Sequence, residues 1–333
     1  MLDLLDPPTV GELKKTDTVK DKHSDVVFIY GALRSGTTLF RLMLDAHPQI
    51  SNPGEMDFLF DHLTPDTTHK TGWCYDMDRL RHDRIFRSNN LQVPNDLTGL
   101  DLLDSFLSQL KDRAPSQVLS INLHRHIERL HQVLPQARIL HMLRDPRDVA
   151  RSSIQMGWAG TCFHGVGHWL KTEAGWDRCN ARLSPERTLE MRYEDLLTHT
   201  NKTLNAVCDF FEVPFDPDML RYHESTSYGP VDASLTNQWK RKCTQRELEE
   251  VENRAGSLMT QRGYTCSQSA TSLSKARKVG LSLRNKTHVW KFGMARFGAL
   301  TYWAEKITRW ARLKTANQKL TLRMQQTMIQ LLK

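Results

Sequence analysis

Val26-Val27-Phe28-Ile29-Tyr30-Gly31-Ala32-Leu33-Arg34-Ser35-Gly36-Thr37-Thr38 is the stretch on which the reading of the fold turns. Its first five residues form a short apolar run with β-branched side chains, closed by a glycine. That is the pattern of a strand buried on both faces of a parallel sheet. From Thr37 to Ala46, Leu39, Leu42, Met43 and Ala46 share one helical face. His47-Pro48 ends this helix, because proline disfavours helical backbone at the residue before it. Between strand and helix lies a glycine-containing turn. Its backbone N–H groups and the helix N-terminus make a concave donor site for an anion. Gly31 and Gly36 permit the turn and a close approach to it.

The spacing fits G-x-x-x-x-G-K-[ST] at every position but one. Thr37 stands where a nucleotide triphosphatase places its lysine, and Arg34 lies inside the loop instead. Taken alone, the segment could also be a plain strand-to-helix turn.

Further along the chain, Val118 to Ile121, Ala137 to Leu143 and Thr188 to Arg192 read as strands. Leu97 to Lys111, Ile127 to Leu134, Arg147 to Met156 and Asp195 to Phe211 read as helices, and residues 57–115 as mostly helix and loop. Alternating strands and helices predict an α/β fold with a P-loop-like central parallel sheet flanked by helices. The chain divides into a flexible leader at 1–24, a body at 25–266, a Ser/Thr-rich linker at 267–274 and a basic helical C-terminal extension at 275–333.

Composition narrows the class. Hydrophobic residues make up 39% of the 333, too many for a disordered chain. No apolar run approaches the ~18 residues of a membrane span, and the polar N-terminus lacks the pattern of a signal peptide. Six cysteines without a C-x-x-C pair read as reduced thiols of a cytoplasmic protein, neither a disulfide framework nor a zinc site. The net charge of +8 is unevenly placed. From Ser267 onward there are fourteen Lys/Arg and one acid, Glu305, whereas residues 1–266 carry 32 bases and 37 acids. The basic balance therefore belongs to an appendage and not to a nucleic-acid-binding body, and no nucleic-acid partner is expected.

A second anion-binding candidate is His141-Met142-Leu143-Arg144-Asp145-Pro146-Arg147-Asp148-Val149-Ala150-Arg151-Ser152. Arg144 closes a strand, and Pro146 can open a helix with Asp148 in its first turn. Arg144 offers a fork of donors to a phosphate and Ser152 a hydroxyl. By itself this segment could equally be a capped helix with surface arginines.

Together the two segments resemble the sulfotransferases that use 3′-phosphoadenosine-5′-phosphosulfate (PAPS), most of all bacterial and tyrosylprotein sulfotransferases. Arg34-Ser35-Gly36-Thr37-Thr38, followed by Leu44-Asp45-Ala46-His47-Pro48, is similar to the family's 5′-phosphosulfate loop. Arg144 to Ser152 is similar to its 3′-phosphate motif, and Arg192-Tyr193-Glu194-Asp195-Leu196 to its R-Y-E-D-L. The resemblance runs from about Val26 to Tyr264. It implies that Arg34, Ser35, Gly36, Thr37 and Thr38 hold the 5′-phosphosulfate, that Arg144 and Ser152 hold the 3′-phosphate, and that Tyr193 lies near the nucleotide. Where the family often has a lysine before the second motif, this chain has Ser120 to His126, leaving His124 or Arg125 as the substitute.

The implied reaction is transfer of a sulfuryl group to a hydroxyl or amine by in-line displacement, with no metal. Arg34 would neutralise charge on the bridging oxygen. Glu55, in Gly54-Glu55-Met56-Asp57, matches the family's general base, with Asp57 or a histidine as alternatives. The acceptor, on a lipid, sugar, phenol or peptide, is left open. His164 and His168, four apart, suit an acceptor pocket with Trp158 and Trp169, or packing, better than a metal. Ser225-Thr226 and Trp239 resemble late positions of the tyrosylprotein family. Rival functions are a nucleotide kinase, which the missing lysine opposes, and a non-catalytic membrane- or polyanion-binding module. The latter draws on the tail, where Val289, Trp290, Phe292, Phe297, Leu300, Trp303, Ile307 and Trp310 alternate with basic residues. Such a helix suits an anionic membrane surface, to which the protein would be peripheral, or else packs on the body.

Overall fold

Val26–Gly31 (β1) forms the middle of the molecule because every one of its residues is buried. The computed structural model describes residues 23–113, 116–266 and 272–331. The other strands are Ile50–Ser51 (β2), Leu63–Pro65 (β3), Trp73–Tyr75 (β4), Val118–Leu123 (β5), Arg138–Leu143 (β6) and Thr188–Arg192 (β7). Five of them make a sheet in the order β2-β5-β1-β6-β7, parallel at every pairing. Phe28 lies opposite Ile121 on one side and Ile139 on the other. The chain works on the β2–β5 side of β1 before crossing to β6, so the sheet's switch point opens at the carboxyl end of β1, where such sheets bind ligands.

Side chains alternate across β1, as strand geometry requires. Val26, Phe28 and Tyr30 enter an apolar cluster with Phe58, Phe60, Phe106 and Leu123. Val27 and Ile29 enter the opposite one, with Phe40, Met43, Leu140 and Phe211. A third cluster joins Ala32, Val149 and Trp169 to Val251 and Met259 of the Gln245–Gln261 helix. That helix starts at a capping box in which Thr244 and Glu247 satisfy each other's backbone N–H groups.

The predicted α/β architecture with helices on both faces is present. Three departures have local causes. Residues 57–115 contain, besides helices, an antiparallel β3–β4 hairpin too short to carry a periodic signal. The expected helix from Asp195 to Phe211 is two, Tyr193–Thr198 and Thr200–Phe211, because His199 leaves helical backbone at φ −131°, ψ 43°. His23 and Ser24, expected in the leader, are tied down: His23 pairs with Asp104 at 2.6 Å, and the Ser24 carbonyl accepts from Arg138 at 3.1 Å. The rest of the expected leader, and residues 267–271 of the expected linker, lie outside the described residues.

The basic extension forms three helices, Lys275–Phe297, Ala299–Trp310 and Lys314–Leu331. Gly298, at φ +79°, breaks the first from the second. Among the described residues no helix is long and apolar enough to cross a membrane.

Candidate functional site

The turn after β1 bends through two positive-φ residues, Arg34 at +73° and Gly36 at +91°. Gly36 is the N-cap of the Thr37–Asp45 helix and supplies no side-chain cap, so the first N–H groups of that helix face outward unclaimed by its own cap. Gly36 also has no room for a side chain: a Cβ there would stand 2.2 Å from the Tyr193 ring. Ser35 is fully buried, and its hydroxyl has no partner in the protein. A buried orphan hydroxyl inside a ring of donors fits an anionic ligand.

The second segment closes on the first. Arg34 Nε donates to Ser152 Oγ at 2.9 Å, across 118 residues of sequence. Arg144 Nη1 donates to the Arg34 carbonyl at 3.1 Å, and its guanidinium lies 4.2 Å from the centre of the Tyr193 ring. Arg144 is nearly buried and its Nε has no partner. Its nearest counter-charge, Asp148 Oδ2, is 3.9 Å away. Burial lowers the Arg34 pKa and the adjacent Arg144 acts in the same direction. Two adjacent guanidinium groups, Arg144 with an unpartnered Nε, form a site that suits a negatively charged ligand.

The local sequence explains how Arg144 comes to face the loop. Pro146 opens the Pro146–Gln155 helix, and Asp145 caps it by accepting from Arg147 N. Arg147 is spent on structure: it pairs with Asp145 at 2.7 Å and stacks 3.5 Å from the Trp239 ring centre. Trp239 N in turn donates to Asp148 Oδ1 at 2.7 Å. Trp239 therefore braces the second motif from behind. Ser225 and Thr226 make only local bonds, to the Tyr222 carbonyl and from Tyr228 N.

Glu55 reaches the same mouth by a different route. Residues 54–56 run beside the end of β5, with Asn122 N donating to the Gly54 carbonyl at 3.1 Å and Met56 N to the Asn122 carbonyl at 3.0 Å. The Asn122 side chain accepts from Asn52 at 3.2 Å and donates to the Thr37 carbonyl at 3.4 Å. Asn122 thus ties the Glu55 segment to the phosphate loop, a role its sequence signalled only by being polar in a buried strand. Behind Glu55 lies His124, whose Nδ1–H donates to the Gly31 carbonyl at 2.7 Å. This leaves Nε2 aimed at Glu55 Oε1, 3.5 Å away. The contact with His124 lowers the Glu55 pKa against the opposing effect of burial. Burial works against the His124 imidazolium, but Glu55 and Asp57 outweigh it and its pKa is raised.

The alternatives separate clearly. Asp57 is buried and accepts His124 N at 2.8 Å, so it orients the histidine and does not face the mouth. Arg125 is bound to Asp61 in a two-pronged ion pair, leaving His124 as the residue of that segment at the site. Trp169, expected on an acceptor wall, is fully buried and donates to the Arg144 carbonyl at 3.0 Å, a positioning role. Trp158 is the aromatic that reaches the mouth, 5.9 Å from Arg34 and 5.5 Å from the His168 ring. His164 is engaged with Thr161 at 2.8 Å. Among the described residues no group of three His, Cys, Asp or Glu side chains is arranged to hold a metal.

A model of the Sulfotransferase family matches residues 26–217, more than half of the chain. Protein-tyrosine sulfotransferase A of Caenorhabditis elegans is 25% identical over 236 residues, covering 67% of this chain and 58% of that protein. Protein-tyrosine sulfotransferase 1 of Danio rerio is 25% identical over 231 residues, covering 64% and 60%. The chain thus spans well under two thirds of the length of these relatives. Among solved structures, the sulfotransferase domain from the curacin biosynthetic pathway has a TM-score of 0.55 at 20% identity, covering 72% of this chain and 97% of that domain. The sulfotransferase domain of the Synechococcus PCC 7002 olefin synthase gives 0.52 at 21%, covering 70% and 94%. At these identities the structural likeness is one of fold.

Proposed function

Since this chain belongs to the sulfotransferase family, we propose that it transfers a sulfuryl group from PAPS to a hydroxyl-bearing acceptor. The observation that carries this reading is the bond from Arg34 to Ser152. It draws two separate sets of anion donors into one site, as a nucleotide phosphorylated at both its 5′ and 3′ ends requires. Arg34, Ser35, Gly36, Thr37 and Thr38 hold the 5′ end. Arg144 and Ser152 hold the 3′-phosphate, and Tyr193 supports Arg144 through its ring. A kinase reading lacks its lysine, since a nearly buried Thr37 occupies that place.

Bound PAPS supplies the sulfuryl group. The chain's part is positioning and charge stabilisation, which dominate transfers of this kind. Glu55 takes the acceptor proton on Oε1 or Oε2, and His124 behind it keeps the carboxylate ionised and aligned. Arg34, in the electrostatic field of Glu55 across the mouth, neutralises charge that develops toward the leaving phosphate. Trp158 and His168 border the acceptor side.

Thermal unfolding with added ligand tests the reading. The bisphosphate 3′-phosphoadenosine 5′-phosphate should raise Tm well above ATP at equal concentration, since stabilisation grows as RT ln(1 + [L]/Kd). Equal shifts would overturn it. Labelled PAPS offered with fractionated hydroxyl-bearing acceptors then identifies the acceptor.

A further inference from the structure

The basic extension has an inner and an outer side. Inside, Asn285 Oδ1 accepts from Gly160 N at 2.7 Å, Leu281 is buried, and the Phe292 ring fills the space that a side chain at Gly157 would need. Tyr302 packs against Gly293 in the same way, clamping the Ala299–Trp310 helix to the Lys275–Phe297 helix. The extension's one acid, Glu305, is also turned in: it is buried and paired with Arg309 at 2.8 Å and Lys306 at 3.2 Å.

The outer side is apolar, and the same helices expose cations such as Lys278, Arg284, Lys286 and Lys291. On the Ala299–Trp310 helix, Leu300, Trp303, Ile307 and Trp310 recur at spacings of three and four, one helical stripe, and all are exposed. Leu300 is 90% exposed and Trp310 87%. Val279, Leu283 and Trp290 are likewise exposed on the neighbouring helix, and Trp290 meets Trp303 edge-to-face at 5.3 Å, joining the two stripes. Fourteen Lys/Arg lie within the extension against that single inward-turned acid. Exposed apolar patches of this kind mark interaction surfaces.

We propose that this outer face docks on an anionic lipid bilayer, its helices lying in the headgroup plane. Tryptophan and aliphatic side chains enter the headgroup–acyl boundary while the surrounding cations meet lipid phosphates. A second copy is a poorer occupant, because two faces of the same strong positive charge repel. Since the inner side grips residues 157–160, docking also fixes Trp158, and with it the acceptor side of the site, relative to the lipid surface. The docking itself does not depend on the transferase reading.

The test uses the full chain in co-sedimentation with vesicles of equal parts phosphatidylserine and phosphatidylcholine, and with pure phosphatidylcholine. Binding to the anionic vesicles should exceed that to the neutral ones at least about tenfold and should weaken as salt shortens the Debye length. The exposed double variant Leu300→Ala/Trp310→Ala should unfold at the same temperature, yet bind the anionic vesicles about tenfold more weakly or worse. Equal binding to both vesicles overturns the proposal. So does salt-sensitive binding that the double variant leaves unchanged, which would mark an unspecific polyanion surface. A dimer in light scattering that the double variant dissociates would give the face to a second copy instead.

Discussion

The Arg34 guanidinium and the Ser152 hydroxyl, on the first loop and on the second turn of a distant helix, meet at 2.9 Å. Neither segment alone distinguishes an anion site from an ordinary capped helix. Their contact does, because it sets the half-buried Arg34 beside Arg144, whose Nη1 donates to the Arg34 carbonyl. Confining two cations so closely costs free energy that an anion between them returns.

Arg144→Ala should weaken binding of 3′-phosphoadenosine 5′-phosphate by about 1.5–3 kcal/mol, the range for a hydrogen bond to a charged group. The fold should survive. Arg144 has an unpartnered Nε, and Asp148, its nearest acid, keeps its bond from Trp239 N. Titration calorimetry settles the matter: an unchanged Kd removes Arg144 from the nucleotide site.

Gly36→Ala tests the turn itself. At φ +91° any side chain is strained, by ~1–2 kcal/mol for left-handed backbone alone. The new methyl would also stand 2.2 Å from the Tyr193 ring, which must then move from under Arg144. Both stability and nucleotide affinity should therefore fall. A variant with wild-type Tm and wild-type Kd would show that the loop conformation is not what the donors depend on.

What could be read from the sequence was what local chemistry dictates. The β1 run is apolar at every position because both sheet faces are covered, and the Gly36 and Pro146 punctuation marks the two helix starts. What could not be read depends on which side of an element faces inward. Trp169 and Trp158 looked alike as aromatics near a histidine pair, yet one is fully buried beneath Arg144 and the other borders the mouth. Ile50–Ser51 is too short for any periodicity, although it forms the sheet edge. In the sequence, Glu55 stands out by resemblance alone. The contact that orders it, with His124, spans two segments that meet only when β2 and the residues after it pair with β5.

Glu55→Gln should leave the bisphosphate Kd unchanged and lower kcat about 10²–10⁴-fold, the effect of losing a general base. The side chain is partly exposed and isosteric with its replacement, so folding is not at issue. Near-normal turnover with full nucleotide affinity would move the base elsewhere, with His168 beside Trp158 as the next candidate.

His124→Asn should shift the pH profile without emptying the site. Asparagine can still donate to the Gly31 carbonyl in place of Nδ1, but it removes the positive charge 3.5 Å from Glu55. The polar contact with His124, and secondly its charge, hold the Glu55 pKa below the ordinary carboxylate value against burial. With both gone, only the more weakly acting Arg84 and Arg125 oppose burial, Glu55 binds its proton more tightly, and the acid limb of kcat/KM should move to higher pH. Stability carries the complementary sign. The His124 pKa is raised in the folded protein, so its contribution is complete below the unfolded value of about 6.5 and is lost as pH rises through the raised value. The wild-type advantage in stability over His124→Asn should therefore be greatest in mild acid and shrink toward alkaline pH. Glu55, whose pKa is depressed, adds a contribution lost at the acid end, below the usual carboxylate range. An acid limb that stays in place in the variant, with turnover intact, would show that Glu55 and His124 do not titrate as a pair.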